Sequence, residues 1–498
     1  MNVNPITRLD YPDPDVIRVE DTYYMVSTTM HFMPGCEILQ SFDLVHWEHA
    51  TYVYETLDHT DAQQLKSGQN IYGQGMWAAS LRYHEGRFYI CFVANDTRKT
   101  YLYTSEKIDG PWKKQLIEGF YHDGSLLFDE DGRNYIVYGN DEIWITELNE
   151  DLTAPKKDGL HRLLVSDHKN PELGYEGSHI QKINGYYYIF LVHSLRDRWM
   201  RTEACFYSDS LEGEFTGGDV LCDDRGYCGQ GVAQGGIVDT PDGKWYAMLF
   251  QDSGAVGRIP ILLPVTWKDH FPVFGQNGHV PEEIEVHSTR PGYIYQPLVG
   301  SDDFCNGLLP RWQFNHDPDP QYYHLDALQG TYTITTREVC TELTQAVNTL
   351  TQRMSYPSCA AEVTVDASAL KEGDVAGLCA LQGCYAAVGI TKHHGKYEVL
   401  MLDKKEDGIL DMTEGTVVES HQMDFRLEAD FCNMKDEARC YYRVNKGDWL
   451  PIGTVHKLYF KLDHFTGCRF GLFCYAAEET GGSACFRDFK YYDVDEIS

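Results

Sequence analysis

The sequence predicts an all-β protein: a five-bladed β-propeller followed by a β-sandwich of jelly-roll type. Three observations carry this. A short aromatic motif recurs five times, no helical periodicity lies between the copies, and the pattern stops near Phe274 before a change of style near residue 300. The motif is a small turn residue, one variable residue, an aromatic, Tyr and an apolar residue. Its copies are Asp21-Thr22-Tyr23-Tyr24-Met25, Gly86-Arg87-Phe88-Tyr89-Ile90, Gly132-Arg133-Asn134-Tyr135-Ile136, Gly185-Tyr186-Tyr187-Tyr188-Ile189 and Gly243-Lys244-Trp245-Tyr246-Ala247. The five tyrosines stand 65, 46, 53 and 58 residues apart. Several copies follow an apolar segment and a turn such as Asp131-Gly132 or Asp242-Gly243, which is how a β-hairpin reads in sequence. Units of this kind at a spacing of about 50 residues build propeller blades. A β-sandwich rich in tyrosine is the competing reading.

The propeller is placed over 1–290. A connecting stretch holds Pro281, Pro291, Gly292, Pro297 and Gly300. The second domain is placed over 300–498, where runs such as Ala361-Glu362-Val363-Thr364-Val365 and Arg469-Phe470-Gly471-Leu472-Phe473 alternate with turns. With 498 residues, more than one domain is expected.

Composition narrows the partners. With 75 acidic and 42 basic residues the formal charge is −33, which argues against nucleic acid, since phosphate binding needs a basic face. The longest uncharged apolar run, about Ile259 to Trp267, is far short of the roughly 18 residues of a membrane span. Fifteen cysteines without a CxxC give no support to a zinc ribbon or thioredoxin-like site. They read as reduced thiols, and with no signal-peptide pattern at the start the expected compartment is the cytoplasm. The composition is compatible with a homo-oligomer. Gly229-Gln230-Gly231-Val232-Ala233-Gln234-Gly235 misses the dinucleotide fingerprint by one residue, and no GxSxG elbow occurs.

In a propeller the innermost strands converge on the axis, so equivalent positions in different blades meet. Counting back from each repeat tyrosine, twelve residues before Tyr135 is Asp123, before Tyr188 Glu176, before Tyr246 Gln234 and before Tyr89 Trp77; eleven before Tyr24 is Asp13. The short turn of the second copy would put Ala78 in that place with Trp77 beside it. Three carboxylates, an amide and a tryptophan then ring one end of the axis. The fold itself gives no reason to crowd acids there, where like charges repel and desolvation is costly. Crowded carboxylates have separated pKa values and can supply an acid and a base, which is what glycoside hydrolysis requires.

Tyr11-Pro12-Asp13-Pro14-Asp15-Val16, Met76-Trp77-Ala78, His122-Asp123-Gly124-Ser125-Leu126 and Glu176-Gly177-Ser178-His179 resemble the signature segments of glycoside hydrolase family 43. Gly257-Arg258 followed by Pro264-Val265-Thr266-Trp267 matches a further segment. The region after residue 300 looks like the concanavalin-like sandwich of its β-xylosidase and α-L-arabinofuranosidase members. The resemblance implies an inverting enzyme with Asp13 as general base, Glu176 as general acid and Asp123 holding the acid and raising its pKa. It implies that Trp77 lines the pocket and that Arg258 hydrogen-bonds sugar hydroxyls. Ser27 to Gly35 is similar to the strand that shapes the sugar pocket, making His31 a candidate pocket residue; a buried core histidine is the other reading. Many members carry His near an axial metal where this chain has Gln234. Gln can accept hydrogen bonds from coordinated water, so a structural Ca²⁺ is compatible with it, and no cofactor is required.

The expected function is therefore an exo-glycosidase releasing terminal α-L-arabinofuranosyl residues from xylan- or arabinan-derived oligosaccharides, with β-D-xylosidase side activity. The alternative is an enzyme acting mainly as a β-D-xylosidase on xylo-oligosaccharides. The non-enzyme alternative is a carbohydrate-binding or scaffold propeller. The sandwich is expected to close one side of the pocket.

Overall fold

The computed structural model describes residues 2–413 and 415–493. Five four-stranded antiparallel sheets follow one another in sequence, each running outward from the axis. Their innermost strands are Asp15–Val19, Met76–His84, Ser125–Phe128, Glu176–Ile183 and Ala233–Asp239. The repeat tyrosines sit on the second strands. Tyr135, Tyr188 and Tyr246 are buried between blades, where their rings fill the wedge between splayed sheets. The ring is closed by the N-terminal segment: Asn2–Val3 pairs with Glu283–Ile284, and Asn4 Nδ2 donates to the Leu262 and Pro281 carbonyls at 2.7 and 3.0 Å.

Ladder pairing shows how the blades superimpose. The partners of the five tyrosines are Ile17, Arg82, Leu127, Gln181 and Val238. Four residues before each of these stand Asp13, Ala78, Asp123, Gly177 and Gln234. The equivalent position in blade 4 is thus Gly177, and Glu176 precedes it, just as Trp77 precedes Ala78. The count of twelve misaligns blade 4 because its hairpin turn has two residues, Asn184 and Gly185, whereas the turns of blades 3 and 5 have five. A β-bulge follows Met76, Glu176 and Ala233, re-aiming the side chains at the start of these strands.

Beyond residue 300 the chain forms two packed antiparallel sheets around a core that includes Trp312, Phe314, Leu350, Val363, Phe425, Phe470 and Phe486. The two domains are joined tightly. Phe32–Met33 of blade 1 pairs with Gln313–Asn315 and so becomes the edge of a sandwich sheet. Ala255, Val256 and Ile259 of blade 5 belong to the sandwich core. The buried Asp10 carboxylate accepts N–H bonds from Arg258 at 2.8 Å and Gly467 at 2.7 Å.

Candidate active site

The position shared by the blades has an unusual backbone. Asp13, Asp123, Gly177 and Gln234 have φ of +53°, +48°, +66° and +65°. Side-chain-bearing residues rarely adopt this region, and strain of about 1–3 kcal/mol persists only where the surroundings hold it. Here they do. The Gly177 N–H donates to Asp123 Oδ2 at 2.9 Å, and the Gln234 N–H to Glu203 Oε2 at 2.7 Å. Gly177 is required for space as well, since a Cβ there would lie 2.7 Å from Gln234 Cγ. The turn aims Asp13 and Asp123 into one end of the channel, where Glu176 joins them from blade 4.

Each acid has different company. Asp13 is buried; its Oδ1 accepts from Arg258 Nη1 at 2.6 Å and its Oδ2 from Thr28 Oγ at 2.5 Å. Glu176 Oε2 accepts from Asn140 Nδ2 at 2.9 Å, and its side chain is one-fifth exposed. His122 Nε2 lies 3.5 Å from Glu176 Oε2 and 3.6 Å from Asp123 Oδ2. Burial, reinforced by the charges of Glu176 and Asp13, pushes Asp123 up to about 6 against the opposing pull of His122. Burial also acts to raise Glu176, but His122, Arg201 and Arg258 together outweigh it and hold this carboxyl below its usual range. Burial would lower His122, yet the three carboxylates win and push it up to about 9. Among the charged groups that hold Glu176 low, the neighbouring imidazole acts most strongly.

Of the predicted residues, Asp13, Asp123, Glu176, Trp77, Arg258 and Gln234 converge on this mouth. Arg258 spends one nitrogen on Asp13 and approaches Asp252 at 3.3 Å, so it positions the acid directly. Asp252 is also paired with Arg201, and both arginines are buried. Trp77 packs edge-to-face on Phe465, whose ring also lies 3.8 Å from the Arg258 guanidinium. Phe465 comes from the sandwich, which thereby forms one wall of the site. His31 lies apart. It is buried between the domains, with Nε2 3.1 Å from Asn315 Oδ1 and its ring against His316, His464 and Tyr72.

Sequence reasoning missed Phe465, Asn140, Thr28, Arg201 and Asp252 as site residues, and named His122 only as part of the segment that carries Asp123. Thr28 lies in the Ser27–Gly35 segment already singled out. The others carry no repeat signature.

Among the described residues, one grouping of His, Cys, Asp and Glu brings ligand atoms within 4.8 Å of one another: His122, Asp123 and Glu176. A ring nitrogen and two carboxylates do not suit Ca²⁺, which takes about six to eight oxygens. On the axis Gln234 offers one amide oxygen, and Asp15 is held by Arg82 at 2.8 Å and His179 at 3.1 Å. The residues present do not fit the calcium ion that the resemblance allowed, and no chemical step is assigned to one.

Residues 3–272 match the family described as Glycosyl hydrolases family 43, and residues 301–492 match the beta xylosidase C-terminal concanavalin A-like domain. The chain belongs to glycosyl hydrolase family 43. This family 43 enzyme is 26% identical to a beta-xylosidase of Formosa agariphila over 99% of its own length and 89% of the relative's. It is 26% identical to a non-reducing end alpha-L-arabinofuranosidase of Bacteroides ovatus, over 66% of the chain and 63% of that protein. Among solved structures, a bifunctional GH43-CE protein of Bacteroides eggerthii is 42% identical with a TM-score of 0.92. That match covers the whole chain, which spans 64% of the bifunctional protein.

Proposed function

We propose that this glycoside hydrolase is an inverting exo-enzyme that removes terminal α-L-arabinofuranosyl residues from xylan- or arabinan-derived oligosaccharides and accepts β-D-xylosyl ends at the same site. The observation that carries the reading is the meeting of Asp13, Asp123 and Glu176 from three blades beside a wall supplied by Trp77 and Phe465. Asp13, oriented by Arg258 and Thr28, takes the proton of the attacking water. Glu176 gives a proton to the departing glycosidic oxygen, and the aromatic wall covers the apolar face of the sugar. A mainly β-D-xylosidase activity is the second reading, favoured by relatives named for that sugar. The cytoplasm is the compartment we infer, supported by fifteen unpaired cysteines, nine of them buried.

The test is turnover of 4-nitrophenyl α-L-arabinofuranoside and β-D-xyloside, and of pentose-tipped oligosaccharides, by wild type and Glu176→Ala. Oligosaccharide turnover should fall by about 10²–10⁴ in the variant, the usual contribution of a positioned acid. Unchanged turnover would remove the acid assignment. NMR of the first-formed sugar should show the inverted anomer; a retained anomer contradicts the roles of Asp13 and Glu176.

A further inference from the structure

His122 stands at this mouth between Asp123 and Glu176, and the acid–base assignment gives it no part. It stands in the connection into blade 3, where its carbonyl accepts the Gly139 N–H at 3.0 Å. Gly139 has a φ of +145°, and a Cβ there would lie 1.9 Å from the Glu142 carbonyl, so this support admits only glycine. The ring meets Trp77 of blade 2 edge-to-face at 6.1 Å. Its Nε2 is buried without a hydrogen-bond partner, yet it is almost equidistant from Glu176 Oε2 and Asp123 Oδ2, at 3.5 and 3.6 Å. The charged groups facing it are Asp123 on its own segment, Glu176 of blade 4 and Asp13 of blade 1, while the charges of Arg201 and Arg258 act on Glu176. Asn140 of blade 3 is neutral and occupies the same Glu176 oxygen.

We infer that His122 is the proton store of the general acid, passing the proton on its Nε2 to Glu176 Oε2 for delivery to the leaving oxygen. The inference rests on the reading of Glu176 as that acid. In the free enzyme the shared proton resides on the imidazole, because three carboxylates favour the cation there and the arginines favour Glu176 as an anion. A sugar seated against Trp77 and Phe465 displaces water and weakens that charge separation, and the long contact closes, as catalytic hydrogen bonds do when substrate binds. The proton then moves from Nε2 to Oε2, leaving a neutral imidazole and a neutral carboxyl. As the glycosidic C–O bond breaks, Glu176 gives this proton to the departing oxygen. Water adds its OH to the anomeric carbon and its proton to Asp13. After release Asp13 loses one proton to solvent and His122 regains one, so the cycle consumes only water and glycoside. His122 acts through Glu176; it is a positioning residue.

The test compares His122→Gln and His122→Phe with wild type across pH, on a pentose-tipped oligosaccharide and on the matching 4-nitrophenyl pentoside. In wild type the alkaline limb of kcat/KM should reflect the His122–Glu176 pair as a unit. Without the imidazole, Glu176 holds its own proton only at lower pH, so the limb should move at least about one unit towards acid. Oligosaccharide turnover at pH 8 should fall about 10–100-fold, the loss shrinking towards pH 5. The nitrophenyl substrate, whose leaving group needs little protonation, should lose several-fold less. A limb unmoved in both variants, with Glu176→Ala still inactive on oligosaccharide, overturns the proton store and leaves the acid standing. Full oligosaccharide turnover by Glu176→Ala would instead remove the acid reading and this inference with it.

Discussion

The two mouths of the propeller channel are built from the opposite ends of the same strands, and they treat charge in opposite ways. At the far mouth a cavity of about 420 Å³ is lined by Arg18, Arg82, His84, Phe128, Gln181 and Trp245, among others. Each cation there has its acid: Arg18 pairs with Asp239 at 2.5 Å, Lys182 with Asp129 at 2.6 Å and Arg82 with Asp15 at 2.8 Å. At the near mouth Asp123 and Glu176 share one imidazole at long range, and the backbone carrying Asp13, Asp123 and Gln234 is strained. The far opening is therefore the balanced one. Crowded, incompletely compensated acids on a strained backbone mark the chemical site, because a fold selected only for stability would avoid both.

The sharpest way to break the contrast is Gly177→Ala. It places a Cβ at a φ of +66° and 2.7 Å from Gln234 Cγ, in the turn that donates to Asp123. A loss of about 1–3 kcal/mol in stability is expected, read as a lower melting temperature, together with a fall in kcat. Phe465→Ala removes the wall that the sandwich contributes to the near mouth. It should raise KM about tenfold with a smaller change in kcat, measured by steady-state kinetics on the preferred pentoside.

A smaller effect concerns the histidines between the domains, behind the near mouth. Burial, with help from His464, pushes His316 down to about 3, and burial pushes His464 down to about 4. Both folded values lie below the ordinary 6.5. The unfolded chain therefore binds protons that the folded chain refuses as pH falls from about 6.5 towards 4, and stability falls with it. Melting temperature should drop between pH 7 and 5, and the drop should be shallower in His464→Gln. An unchanged slope would show that these rings do not set the acid limit. The smallest effect belongs to the far mouth: Lys182→Met breaks the pair with Asp129 and should cost about 1 kcal/mol or less while leaving kinetics unaltered. A large kinetic loss there would abolish the distinction between the mouths.

Five tyrosine repeats and their spacing were enough to read the blades, and the acids eleven or twelve residues before three of those tyrosines were enough to read Asp13, Asp123 and Glu176 as a group. Both follow from local rules: strand period sets the face a residue occupies, and hairpin order sets which end of the channel it reaches. The count still placed Glu176 one residue off, because turn length varies from blade to blade and only the hydrogen-bonded ladder reveals it. Phe465, Arg201, Asp252 and the His31 cluster could not be read in advance. Their contacts join residues tens to hundreds apart, and nothing in the repeat refers to them. Which group holds the proton was also beyond the sequence. It depends on His122 lying 3.5 Å from Glu176 and on the charges of Arg201 and Arg258, and electrostatic energies follow distance and burial, which packing alone decides.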